Sequence, residues 1–124
     1  VLDKHPVAPI MVTIHSFTPT FMGRKRDVEI GFVHDQDSRL ADAFLNAADA
    51  DRVERNEPYG PEDGVTHTLK RHALPRSLLN VMIEIRNDLI TTPQQCQTMA
   101  EKLVGWLELS LSALQLPVQH EAVK

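Results

Sequence analysis

The sequence predicts an α/β chain, with a partial, mostly parallel or mixed sheet flanked by helices. Three observations carry that expectation. Ile10-Met11-Val12-Thr13-Ile14 is apolar at successive positions, so a strand there offers both of its faces for burial, as strands of parallel sheets do. Val81-Met82-Ile83-Glu84-Ile85-Arg86 repeats the pattern late in the chain, with a carboxylate and a guanidinium on one side. Between and after these runs, apolar residues recur at helical spacing, and strands that alternate with helices define the class.

Each element follows from local chemistry. Residues 8–15 read as a strand suited to a central place in the sheet, closing on His15-Ser16. Thr18-Pro19 and Met22-Gly23 break it into a loop. Residues 27–34 alternate, so Val28, Ile30 and Phe32 share a face of a second strand. Asp35 to Ser38 supply capping oxygens, and Leu40, Phe44, Leu45 and Ala48 fall on one helical face. Residues 51–56 suit a short strand. Asn56 to Gly64 is dense in turn formers, and a long irregular loop in a small domain is more often functional than decorative. Residues 66–74 suit a short helix carrying His67 and His72, and residues 79–86 the strand with Glu84. Thr92-Pro93-Gln94-Gln95 combines a capping Thr, Pro at the first helical position and Gln three after the cap. The helix then carries Met99, Leu103, Trp106, Leu107, Leu111 and Leu114 as a core stripe, ends at Leu116-Pro117, and leaves residues 117–124 as a frayed tail.

Size and charge narrow the function. The 124 residues suit one domain, 1–124, and a chain that opens on Val and enters a buried strand at once reads as the later part of a longer protein. A net charge of -4 argues against a nucleic-acid partner, and Arg24-Lys25-Arg26 is a short basic run best read as a solvated turn. No apolar stretch approaches the roughly 20 residues of a membrane span, and no signal peptide is visible. The single cysteine, Cys96, makes no intramolecular disulfide; it reads as a half-buried structural thiol in a reduced, cytoplasmic protein.

Two side chains stand out. A carboxylate inside a buried strand is expensive unless it is paired or working, which marks Glu84 either as a general base or as the partner of Arg86 in a buried ion pair. His15, where an apolar run ends, is placed as a strand-end metal ligand or as a structural histidine. His67 and His72 are five apart, so they do not share a helical face and read as substrate contacts or surface residues.

Taken together, Ile14-His15-Ser16-Phe17-Thr18-Pro19, Asn56-Glu57-Pro58-Tyr59, Thr66-His67-Thr68-Leu69, Arg71-His72 and Ile83-Glu84-Ile85-Arg86-Asn87-Asp88-Leu89-Ile90 resemble the N-formylglutamate amidohydrolase family, over roughly residues 8–115. That family is related to zinc carboxypeptidases and aspartoacylase-like deacylases, so the resemblance implies half of a zinc-carboxypeptidase-like, phosphorylase/hydrolase-like domain. It implies zinc-dependent hydrolysis of small N-acyl, specifically N-formyl, amino acids. His15 would be a zinc ligand and Glu84 the general base and proton shuttle; Arg86 would join the catalytic group. Arg26, Asn56, Tyr59 and His72 would contact substrate. The chain departs from the family in lacking the first half, which carries the other two zinc ligands. An N-terminal half supplied from elsewhere, or self-association through exposed edges, is therefore expected. The competing readings are a non-catalytic module that binds an acidic ligand and a fragment stable only with a partner.

Overall fold

Glycine and proline punctuation leaves the apolar runs as strands, and the computed structural model, which describes residues 9–48 and 52–115, joins four of them into one mixed sheet. In chain order the elements are β1 (Met11–Phe17), β2 (Thr20–Phe21), β3 (Arg24–Lys25), β4 (Ile30–Val33), α1 (Arg39–Ala47), β5 (Val53–Arg55), α2 (His67–His72), β6 (Asn80–Arg86) and α3 (Pro93–Ala113). The sheet order is β1-β6-β4-β5, and β2 and β3 form a separate hairpin. β1 runs parallel to β6, β6 antiparallel to β4, and β4 parallel to β5.

The alternation of β6 divides the molecule. Val81, Ile83 and Ile85 face α1 and α3, where they meet Ile30 and Phe32 of β4, Leu40 and Phe44 of α1, and Met99, Leu103 and Trp106 of α3. The Phe32 ring lies 5.0 Å from that of Phe44 and stands edge-on to Trp106 at 6.0 Å. Such aromatic pairs add to the burial that closes this layer. Met82 faces the other way and packs with Val33 and Leu69 under α2. Glu84 points to this second face, as do its neighbours in register.

Helix α3 starts where its capping chemistry says it should. The Thr92 hydroxyl accepts from the Gln95 N–H at 3.1 Å, and the Gln95 side-chain oxygen accepts in return from the Thr92 N–H at 3.2 Å. Its buried stripe is Met99, Leu103, Trp106 and Ser110, while Leu107, Leu111 and Leu114 are only partly covered. At α1, Ser38 makes no side-chain cap bond; Asp37 accepts from the Arg39 N–H at 3.1 Å instead.

Several expectations need correction. β1 is not central: among the described residues it pairs only with β6, so it forms one edge of the sheet, and Ile14 is 60% exposed. Apolarity on both faces says that a strand can be covered twice and does not say what covers it. His15 does not end β1 either. The strand continues through Ser16 to Phe17, because Phe17 pairs in register with Arg86 and is buried. Cys96 is exposed. The end of α3 at Leu116-Pro117 and the tail over 117–124 lie outside the described residues. No helix among the described residues is long and apolar enough to cross a membrane.

Candidate active site

Parallel pairing sets the site. The β1–β6 register matches His15 to Glu84, and the β6–β4 register matches Glu84 to Gly31. Residues matched across neighbouring strands share a face, so imidazole, carboxylate and bare glycine form one transverse row. The row sits one turn of the pleat below the ends of β1 and β6.

Glu84 is 3% exposed, and its Oε1 has no hydrogen-bond partner. Burial pushes its carboxyl above the usual carboxylate range, with His15 and the Arg26 guanidinium pulling the other way. A buried carboxylate with a free lone pair is poised to take a proton. It is not the partner of Arg86, so the buried ion pair between them does not form. Arg86 instead donates to Asp88 from Nε at 2.7 Å and to the Arg26 carbonyl from Nη1 at 2.9 Å. Asp88 holds it firmly protonated. Arg86 thus ties the end of β6 to the strand entry before β4.

Gly31 explains how the loop after β5 reaches the row. β4 and β5 run away from the site, so the chain after Arg55 must turn back across the sheet. It does so directly over Gly31, where any Cβ would overlap the carbonyl oxygen of Glu57. The Glu57–Pro58 peptide is cis. The return brings Tyr59 to Arg26, whose Nη2 donates to the phenol oxygen at 3.2 Å. Asn56, at the start of the turn, has φ of 51° and accepts from the His34 N–H at 2.8 Å. Its side-chain oxygen fixes the loop.

Of the expected site residues, His15, Glu84, Arg26 and Tyr59 gather at one end of the sheet. Arg86 lies at the same end with its guanidinium committed to Asp88 and to a backbone carbonyl. Asn56 does not join them: it follows the far end of β5, beside His34, where its side-chain oxygen braces the loop. His72 does not join them. It borders a cavity with Pro9, Met11, Val12 and Leu78 at the start of β1. Met11 precedes His15 by four strand residues, a distance of roughly 13 Å. The sequence reading gave no role to Phe17, Phe21 or Gly31; the rings of Phe17 and Phe21 face the Arg26 guanidinium at 5.5 and 4.7 Å. Nothing local announces that contact. Gly31 did carry a signal, since a lone glycine inside a strand marks a close backbone approach.

Among the described residues no three His, Cys, Asp or Glu side chains converge on one point. A catalytic zinc takes three protein ligands. The residues present therefore do not fit a complete zinc site: His15 is a single donor.

The comparisons extend this picture. Among curated proteins, no sequence matches the chain. A crystal structure of gene product Atu2144 from Agrobacterium tumefaciens superposes with a TM-score of 0.81 and 55% sequence identity, covering 86% of this chain and 44% of that one. The chain thus spans less than half the length of that protein. The sequence model of the N-formylglutamate amidohydrolase family matches residues 2–91, which include His15, Arg26, Tyr59 and Glu84. The chain belongs to the N-formylglutamate amidohydrolase family.

Proposed function

We propose that this chain supplies the proton-transfer half of a site that hydrolyses the amide of a small N-acyl amino acid, of the N-formyl-L-glutamate kind. One observation carries the reading: a buried carboxylate with an unpartnered oxygen, in register with an imidazole on the adjacent parallel strand. Family membership supports the reaction class.

In this reading Glu84 Oε1 accepts a proton from the water that attacks the acyl carbon. The new C–O bond forms as the C–N bond breaks, and Glu84 returns the proton to the leaving nitrogen. The products are the free carboxylic acid, formate for a formyl group, and the amino acid. Burial favours this cycle, because a carboxyl whose proton affinity is raised takes and gives a proton more readily near neutrality. His15 lies beside Glu84 and helps to orient the acyl group. The zinc implied by the family resemblance needs two further donors, which would come from outside the described residues, so no step is drawn through it.

The test is Glu84→Gln in a longer protein that contains this chain. Turnover of N-formyl-L-glutamate should fall by about 10²–10⁴, the usual contribution of a general base. Activity within a few-fold of the parent removes Glu84 from the chemistry.

A further inference from the structure

β4 runs away from Glu84, and His34 follows its last residue with both ring nitrogens engaged. Nδ1 lies 2.8 Å from the Asp35 carbonyl oxygen, which only accepts, so Nδ1 carries a proton. Nε2 lies 3.0 Å from Arg55 Nη1, which only donates, so Nε2 offers its lone pair. One nitrogen donating and one accepting is the neutral imidazole. An imidazolium has no lone pair, and it would set a second donor and a second positive charge against Arg55. The His34 backbone N–H holds the next residue, donating to Asn56 Oδ1 at 2.8 Å. Arg55 ends β5, and Asn56 opens the loop that returns over Gly31. From Asn56 to Tyr59 the chain spans roughly 11 Å at most. So short a tether has little slack, and its anchor decides where the Tyr59 ring lies. That ring, with those of Phe17 and Phe21, clamps the Arg26 guanidinium.

The charges around His34 favour release once it is protonated. Arg55 also pairs through Nη2 with Asp42 of α1 at 2.6 Å. Asp42 accepts a further bond from Ser38 at 3.1 Å, and its carboxyl is held below the usual range by Arg55 first, with His34 a smaller influence. Just before α1, Asp37 is paired with Arg39 at 2.7 Å and also feels His34. On the side of α2, the Asp35 carboxylate accepts from the Thr66 hydroxyl at 2.5 Å and pairs with Lys70 at 3.7 Å. Glu54 precedes Arg55 in β5 and so takes the other face of the strand. A protonated His34 thus repels Arg55 and competes with it for Asp42.

We propose that neutral His34 is a positioning residue for the site: it latches Arg55, which holds the loop that carries Tyr59 to Arg26, and gaining a proton opens the latch. The latch stands on its own geometry; its bearing on turnover rests on the hydrolase reading.

Tyr59 is the one tyrosine of the chain, so meta-fluorotyrosine reports on this loop alone. The test is fluorine NMR of the labelled full chain from about pH 7.5 to about pH 5, where imidazoles gain a proton. The wild type should show one protonation step that shifts the resonance toward that of free fluorotyrosine. His34→Gln should hold the neutral-pH position throughout, because its side-chain oxygen accepts from Arg55 as Nε2 does and takes no proton. His34→Leu should show the low-pH position throughout. His15→Gln and Glu84→Gln, which remove other titrating groups at the Tyr59 end of the sheet, should keep the step. Far-UV circular dichroism checks that each sample is folded, and His34→Gln carries the test if His34→Leu is not. A wild-type resonance that stays in place, a step that survives His34→Gln, a His34→Leu resonance at the neutral-pH position, or a step lost with His15→Gln or Glu84→Gln overturns the assignment. None of these readouts uses turnover, so failure of the latch and failure of the hydrolase reading are told apart.

Discussion

At the scale of the residue, Glu84 sets the terms. A carboxyl held above its ordinary range by burial binds its proton more tightly in the folded chain than in the unfolded one. The stability linked to that proton is complete below the unfolded value and is lost as pH rises through the folded one. Glutamine at this position stays neutral. The stability of Glu84→Gln relative to wild type should therefore grow as pH rises from about 4, the ordinary glutamate range, through the raised folded value, measured by urea unfolding at each pH. A difference that stays flat across the range means that Glu84 ionises in the fold as freely as in water. The special status of this residue was legible in the sequence, because a lone carboxylate in an apolar strand is costly anywhere. Its partner was not. Spacing put Arg86 on the same face, but two strand residues are separated by about 6.6 Å, and Asp88 at the following turn is closer to the guanidinium. The clamp on Arg26 was equally hidden. Its rings come from three separate segments, and only the tertiary fold brings them together.

At the scale of the element, local signals and tertiary placement part company. The start of α3 was legible to the residue, since Thr92, Pro93 and Gln95 act on backbone groups within four positions. Thr92→Ala should lower stability by about 1 kcal/mol, read as a reduced urea midpoint with an unchanged slope. A loss near zero would mean that Thr91, which also donates to the Gln95 side chain at 2.6 Å, upholds the cap alone. The strands were found with their polarity of faces but not with their order. The two-residue period tells which side chains point together, and it is silent on neighbours. The register of His15 with Glu84 follows from the parallel pairing of β1 and β6 over seven matched residues, and no feature of either strand read alone dictates it.

At the scale of the whole molecule, the outer edge of β1 is the feature with most consequence for behaviour in solution. Among the described residues it pairs with no strand, and Ile14 stands exposed beside it. Unpaired strand edges recruit other strands. We expect the chain to self-associate as concentration rises, measured by sedimentation, and Ile14→Lys to weaken that association. A wild-type chain that sediments as a monomer at every concentration removes β1 as a sticky edge. The sequence pointed to missing coverage through its family resemblance, but apolar residues on both faces of β1 disguised which edge would be bare.

The contact between Gly31 and the Glu57 carbonyl also bears on how this site can be rebuilt. Two stretches far apart along the chain have become a matched set: a strand with a gap and a loop shaped to lie in it. An engineer who transplants the loop from a relative in order to alter ligand choice must bring the glycine with it. A graft that leaves any larger residue beneath would lift Tyr59 away from the guanidinium it steadies.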